Sequence, residues 1–139
     1  MENVEFENIL DDFNFLESWE DKYRYIIDLG KNLEIYPEKF KCEEYRVLGC
    51  ASQVWFLPKI TDKNGEKIFT FKGDSDAMIV RGLIKILSTI YNNKNIKVAL
   101  EVDPYEKLDL LELKDHISSQ RTNGLNSMIL KIKEIVSNA

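Results

Sequence analysis

The amino-acid sequence predicts helices packed on a small antiparallel sheet. Two β-type runs, "SQVWFLPKI" and "EKIFTFK", flank the turn signal "DKNG" and read as a hairpin. Stretches on both sides of the hairpin carry apolar residues at helical spacing. With 139 residues, the chain suits a single domain over 1–139.

The elements follow in order. A short helix is expected around Phe6 to Asp12. "SWEDKYRYIIDLGKNL" is the first strong helix, with Ser18 as N-cap and Glu20 and Asp21 at the positive end. Its predicted inner face is Trp19, Tyr23, Ile26, Ile27 and Gly30. Pro37 belongs to the connection that follows. "EYRVL", Glu44 to Leu48, is expected to add a third short strand beside the hairpin. In the returning strand Phe69 and Phe71 share one face, and Ile68 and Thr70 the other.

"GDSDAMIVRGLIKILSTIY" is a junction capped by Asp74 or Ser75, then a long helix. Val80, Leu83, Ile84, Leu87 and Tyr91 form its stripe, widened by Ile79, Ile86 and Ile90. A helix apolar over so much of its circumference is the central core helix. "IKVALEV", Ile96 to Val102, alternates like a strand and equally fits a short helix ending near Pro104. "DPYEKLDLL" reads as a helix with Asp103 as cap and Pro104 at its first position. The last helix follows "HISSQRTNG" and buries Leu125, Met128, Ile129, Ile132, Ile135 and Val136.

Composition narrows the function. Hydrophobic residues make up 44%, charged residues 31%, and the net charge is -5. This is an ordinary globular composition, without the basic footprint of a nucleic-acid binder. No apolar run approaches the ~20 residues of a membrane span. The acidic start "MENVEFENILDDF" has no basic n-region and reads as neither secretory signal nor transit peptide, so a cytoplasmic location is expected. Two cysteines, Cys42 and Cys50, and the single His116 match no zinc module, and no metal site is expected.

Cys50 stands out because it follows Gly49 where the chain must turn before a strand. An ordinary thiol is only about 3% thiolate at pH 7, so a reactive cysteine needs help from its surroundings. A Cys50–His116 nucleophile pair is conceivable, against a His making ordinary hydrogen bonds near a helix start. "GDSD" offers Asp74 and Asp76, most simply as a helix cap. Arg121, in "SSQRTNGL", is a surface charge or a guanidinium aimed at a thiolate or carboxylate.

Three polar junctions, "GCASQVWF", "GDSDAMIVRGL" and "HISSQRTNGL", follow "WEDKYRYIIDLG" in this order. The chain thereby resembles the SufE family of sulfur-acceptor proteins, including its CsdE branch, from about Trp19 to Ile135. The most specific element is Gly49, Cys50, Ser52, Gln53, Val54 and Trp55. Gly73 to Asp76, and Arg121 with Asn123 to Leu125, are individually modest.

The resemblance implies a sulfur carrier. Cys50 matches the position that accepts sulfane sulfur as a persulfide from a cysteine desulfurase of the SufS or CsdA type. The sulfur then passes to an iron–sulfur scaffold, and the desulfurase is stimulated. Pyridoxal phosphate belongs to that partner, so no cofactor is expected here. Gly49, Ser52, Gln53, Asp74, Asp76, His116 and Arg121 are the expected supporting or partner-binding residues.

The resemblance also implies an α+β fold, a small antiparallel three-stranded sheet packed by helices, as in IscU-type scaffolds. The three junctions would converge at one end of the sheet, and Ile96 to Val102 would be a short helix. Ala51 stands where glutamine is common in the family, and Ser119 where proline is common. Cys42 falls in a variable segment and reads as incidental. The rival reading is a cluster or metal scaffold of the IscU type, which needs several thiolates around one site. A third is a cysteine hydrolase using Cys50 and His116.

Overall fold

Asn64 and Gly65 alone make the hairpin turn, at φ 54° and 83°. Two consecutive left-handed residues suit a two-residue loop whose twist matches the strands. The strands therefore run through the expected turn residues Asp62 and Lys63. In the computed structural model, which describes residues 5–139, β1 spans Val54–Lys63 and β2 spans Glu66–Ser75. They pair antiparallel from Val54↔Ser75 to Lys63↔Glu66. Pro58 is accommodated because β1 is an edge strand.

The third strand is not the expected one. Glu43–Tyr45 forms a 3₁₀ turn, followed by a lone bridge, Arg46↔Trp55, and a bond from Val47 N to Val54 O at 2.8 Å. Gly49, at φ 88°, then turns the chain away before a ladder can form. Instead β3, Lys94–Asn95, pairs with β2 at Ile68↔Asn95 and Phe69↔Lys94. The sheet is three-stranded and antiparallel, in the order β1-β2-β3.

Six helices complete the α+β architecture among the described residues: α1 Phe6–Phe15, α2 Trp19–Gly30, α3 Met78–Tyr91, α4 Ile96–Glu101, α5 Pro104–Leu110 and α6 Ser119–Ser137. The first runs three residues beyond the expected Asp12 because Phe13 is buried with Phe6 and Ile9. Ser18 accepts from Asp21 N at 3.1 Å and caps α2. Asp103 accepts from Tyr105 N at 3.0 Å and caps α5. The ambiguous stretch resolves as α4, because Asn95 accepts from Val98 N at 2.9 Å and starts a helix there.

The core lies between the sheet and the helices. From α3, Ile79, Val80, Leu83, Ile84, Ile86, Leu87, Ile90 and Tyr91 are buried, as the pattern predicts. Phe69 and Phe71 meet this helix from the sheet, and Ile129 and Ile132 from α6 are fully buried. Each such side chain contributes about 1.5–3 kcal/mol relative to exposure. In α2 the inner face is Ile26, Leu29 and Gly30, whereas Tyr23 is exposed, so the face is rotated from the expected one. The rotation follows from a close crossing with α3: a Cβ on Gly82 would stand 2.0 Å from Ile26 O. Ile135 is only partly buried at the edge of α6.

A thiol cavity at the sheet end

The loop from Leu48 to Gln53 joins the Arg46 bridge to β1. Gly49 gives it a left-handed turn, and a Cβ there would lie 2.6 Å from Ser127 Oγ of α6. The loop is thus pressed onto that helix. Cys50 Sγ donates to Gly124 O at 3.5 Å. The close approach needs the glycine, since a Cβ on Gly124 would already stand 3.4 Å from the sulfur. Gly124 is buried in the second turn of α6, whose first turn is capped by Ser118 Oγ accepting from Arg121 N at 3.2 Å.

The half-buried thiol faces a cavity of about 190 Å³. Val54, Val80, Leu83, Leu125 and Met128 make its apolar floor. Ser52, Ser118, Gln120 and Arg121 supply polar groups at the wall. Burial pushes the Cys50 thiol above its ordinary pKa, and the Arg46 guanidinium works partly against this. The bond to Gly124 O points the same way, because only the protonated sulfur can donate it. The resting thiol is protonated and sheltered.

Two of the expected supporting groups meet across the cavity wall: Arg121 Nη1 donates to Ser52 Oγ at 3.0 Å. Gln53 and Asp76 are paired twice. Gln53 N donates to Asp76 Oδ1 at 3.0 Å, and Asp76 N donates to Gln53 O at 3.3 Å. This clasp fixes the end of the cysteine loop to the start of α3. Asp74 does not cap that helix. It lies between Lys41 Nζ at 3.0 Å and Arg81 Nε at 3.1 Å, the latter an ion pair off hydrogen-bond geometry. Bonds to Asp74 and Glu38 push Lys41 up, and its ammonium also covers Trp55, 5.6 Å from the ring centre. Ser75 does not cap α3 either: its hydroxyl accepts from Ala77 N at 3.1 Å in the turn just before the helix, whose N-cap, Ala77, has no side-chain cap bond.

His116 is elsewhere. Its ring stacks on Trp19 with centroids 3.7 Å apart and planes at 17°. It is not among the residues lining the cysteine cavity, so the conceivable Cys50–His116 nucleophile pair lacks its geometry. The reason is local: Glu112 is left-handed at φ 56° and starts a 3₁₀ turn, Leu113–Asp115, that delivers the imidazole to α2. Cys42 is exposed at the start of the Glu43–Tyr45 turn, and both cysteines are free thiols. Among the described residues, no group of three or more His, Cys, Asp or Glu side chains could hold a metal. No helix there is long and apolar enough to cross a membrane.

Sequence reasoning missed several contributors. Arg46, in "YRVLGC", had no signal beyond its nearness to the cysteine. Ser127 and Met128 read only as helix and core, yet one packs the loop and the other floors the cavity. Leu48, 76% exposed, immediately precedes the loop and presents apolar surface beside it.

The family model for SufE, described as an Fe-S metabolism associated domain, matches residues 7–136. The chain belongs to the SufE family. An uncharacterized SufE-like protein of Rhizobium meliloti strain 1021 is 46% identical over 127 residues, covering 91% of each chain. Another from Rhizobium etli is 44% identical over 128 residues, covering 92% of this chain and 86% of its own. The solution structure of a hypothetical protein from Thermus thermophilus shares the fold, with a TM-score of 0.73 at 18% identity. It covers 96% of this chain and 94% of its own. This SufE domain is thereby tied to iron–sulfur metabolism.

Proposed function

We propose that this SufE domain is a sulfur carrier whose Cys50 accepts sulfane sulfur as a persulfide from a cysteine desulfurase. It stimulates that enzyme by removing the product sulfur and passes it on to iron–sulfur cluster assembly in the cytoplasm. The observation that carries the reading is the seat of Cys50: a thiol on a glycine loop, leaning on α6 and opening onto a cavity large enough for an added sulfur. A loop can deliver its thiol into another protein's active site, whereas a cysteine inside a strand cannot.

The chemistry is thiolate attack on the partner's persulfide. The Cys50 sulfur bonds to the outer sulfur of the partner, and the partner's own sulfur leaves as a thiolate. No redox equivalent is consumed. In the free protein burial keeps the thiol protonated, so attack requires the loop to leave α6. Exposed Leu48 is suited to meet a partner as that happens. Arg121 then offers a guanidinium to a partner carboxylate. Pyridoxal phosphate belongs to the desulfurase.

The scaffold alternative finds little support, because the neighbours of Cys50 are Gly124, Ser52 and Arg121 rather than further thiolates. The test is desulfurase turnover. Wild-type chain should raise the rate of sulfide release from cysteine in the presence of a reductant. Cys50→Ser should abolish the stimulation while keeping the fold. Full stimulation by that variant would sink the proposal.

A further inference from the structure

The cavity beside Cys50 is larger than one extra sulfur atom requires. A cavity of about 150 Å³ lined by aliphatic and aromatic side chains can hold benzene, and this one is about 190 Å³. Its lining is two-sided, with an apolar floor and a cationic wall. Among the described residues the other arginines each have a carboxylate partner: Arg24 has Glu20, Arg46 has Glu43 and Arg81 has Asp74. Arg121 is ion-paired with none of them and is held only by the Ser52 hydroxyl. A partly buried guanidinium facing a cavity, with most of its donors uncommitted, calls for an anion.

We infer that this cavity is a subsite for a small carboxylate-bearing thiol, seated with its carboxylate on Arg121, its methylenes on the apolar floor and its sulfur at Cys50. 3-Mercaptopropionate, with the heavy-atom count of benzene, has this shape. Resting on the carrier reading, the subsite gives the Cys50 persulfide a second, protein-independent exit. The thiolate of the small acid attacks the outer sulfur of the persulfide. A sulfur–sulfur bond forms to the incoming thiol, the bond to Cys50 Sγ breaks, and its electron pair returns to Sγ. The proton stays on the transferred sulfur, and nothing is oxidised or reduced overall.

Alkylation tests the carboxylate site without desulfurase or persulfide. Iodoacetate and iodoacetamide share one skeleton and differ in charge. Both consume the same thiolate, so their rate ratio cancels changes in thiolate fraction and loop opening. The ratio at Cys50 should fall roughly tenfold in Arg121→Gln, equivalent to about 1.4 kcal/mol and of the order of a charge-assisted hydrogen bond. Arg121→Lys should retain most of it. The ratio at Cys42, read in the same digests, is the control: the substitution adds one net negative charge to the -5 for both thiols, but Cys42 does not line the Arg121 cavity, so its ratio should hold.

A second arm uses protein persulfidated with inorganic polysulfide. Transfer to 3-mercaptopropionate should saturate and outpace transfer to neutral 2-mercaptoethanol, and Arg121→Gln should erase the difference. A carboxylate on a docked protein is the other source of the same chemistry. An unchanged alkylation ratio in Arg121→Gln, with desulfurase binding still weakened, would assign Arg121 to the protein alone and overturn the subsite.

Discussion

Gly49→Ala separates the cysteine loop from the rest of the fold. Holding an L-residue left-handed costs about 1–2 kcal/mol. The new Cβ would also lie 2.6 Å from Ser127 Oγ. Moving that hydroxyl breaks its 3.1 Å bond to Asn123 O, a loss of about 0.5–1.5 kcal/mol. Keeping the loop in place would therefore cost about 1.5–3.5 kcal/mol in sum, with a mid-range of about 2.5. Releasing the Gly49–Ala51 end, with Ser52 still held by Arg121, forfeits only the half-burial of Cys50 and its bond to Gly124, about 1 kcal/mol. Release is the cheaper response, so Tm should fall by only about 3–4 °C. Iodoacetamide alkylation of Cys50 should rise about fivefold, the ceiling set by the roughly 1 kcal/mol that holds the loop shut. Ser127→Ala in the same background removes the clash and keeps the backbone strain, so it should give an intermediate rate. Gly65→Ala is the control: its φ of 83° is as strained, but nothing lies within 4 Å of its Cβ, so alkylation should not change. A Tm loss near 8–10 °C, about 2–3 kcal/mol, with wild-type alkylation would show that the loop cannot open separately.

Other outcomes follow from the same geometry. Because burial raises the Cys50 pKa, its alkylation rate should still be climbing at pH values where an unstructured cysteine peptide has levelled off; a Cys50 midpoint at or below that of the peptide would contradict the shelter. By linkage, the neutral thiol favours the fold at lower pH, and that contribution is lost as pH rises through the raised pKa. Gly82→Ala would push a Cβ to within 2.0 Å of Ile26 O and should cost about 3 kcal/mol or more despite better helix propensity, read as a Tm drop of about 10 °C. Arg121→Ala should weaken desulfurase binding or stimulation more than it slows iodoacetamide alkylation of the free protein; the reverse would make Arg121 a tuner of the thiol.

Much of this was legible in the residues. The 3.6-residue stripe of α3 and the hairpin are written in apolar spacing and turn chemistry; the stripe appears as expected, and the hairpin with a turn shortened from Asp62–Gly65 to Asn64 and Gly65. The ladder was harder to read. Glu44 to Leu48 looks like a strand by composition, but Gly49 needs a left-handed turn that ends pairing after one bridge. The actual edge, Lys94–Asn95, is two polar residues after left-handed Asn93 and carries no periodic signal.

At the site, the Gly49–Cys50 junction announced itself, and the family motif led to Ser52 and Arg121, which hydrogen-bond each other. Asp74 was expected as a supporting residue, but its place between Lys41 and Arg81 was not legible, because Lys41 is far away in the chain and Arg81 reaches back from the following helix. His116 was misleading for the same reason. A lone imidazole near a helix start gives no sign that Trp19, far away in the chain, will receive its ring.

The central claim, that Cys50 carries sulfur, is tested most directly by mass spectrometry after incubation with a cysteine desulfurase, its pyridoxal phosphate and free cysteine. The intact chain should gain the mass of one sulfur atom, removable by reductant. Peptide mapping should place that sulfur on Cys50, with Cys42→Ser labelled as well as wild type. Absence of the added sulfur from wild type, or its appearance undiminished in Cys50→Ser, would contradict the account.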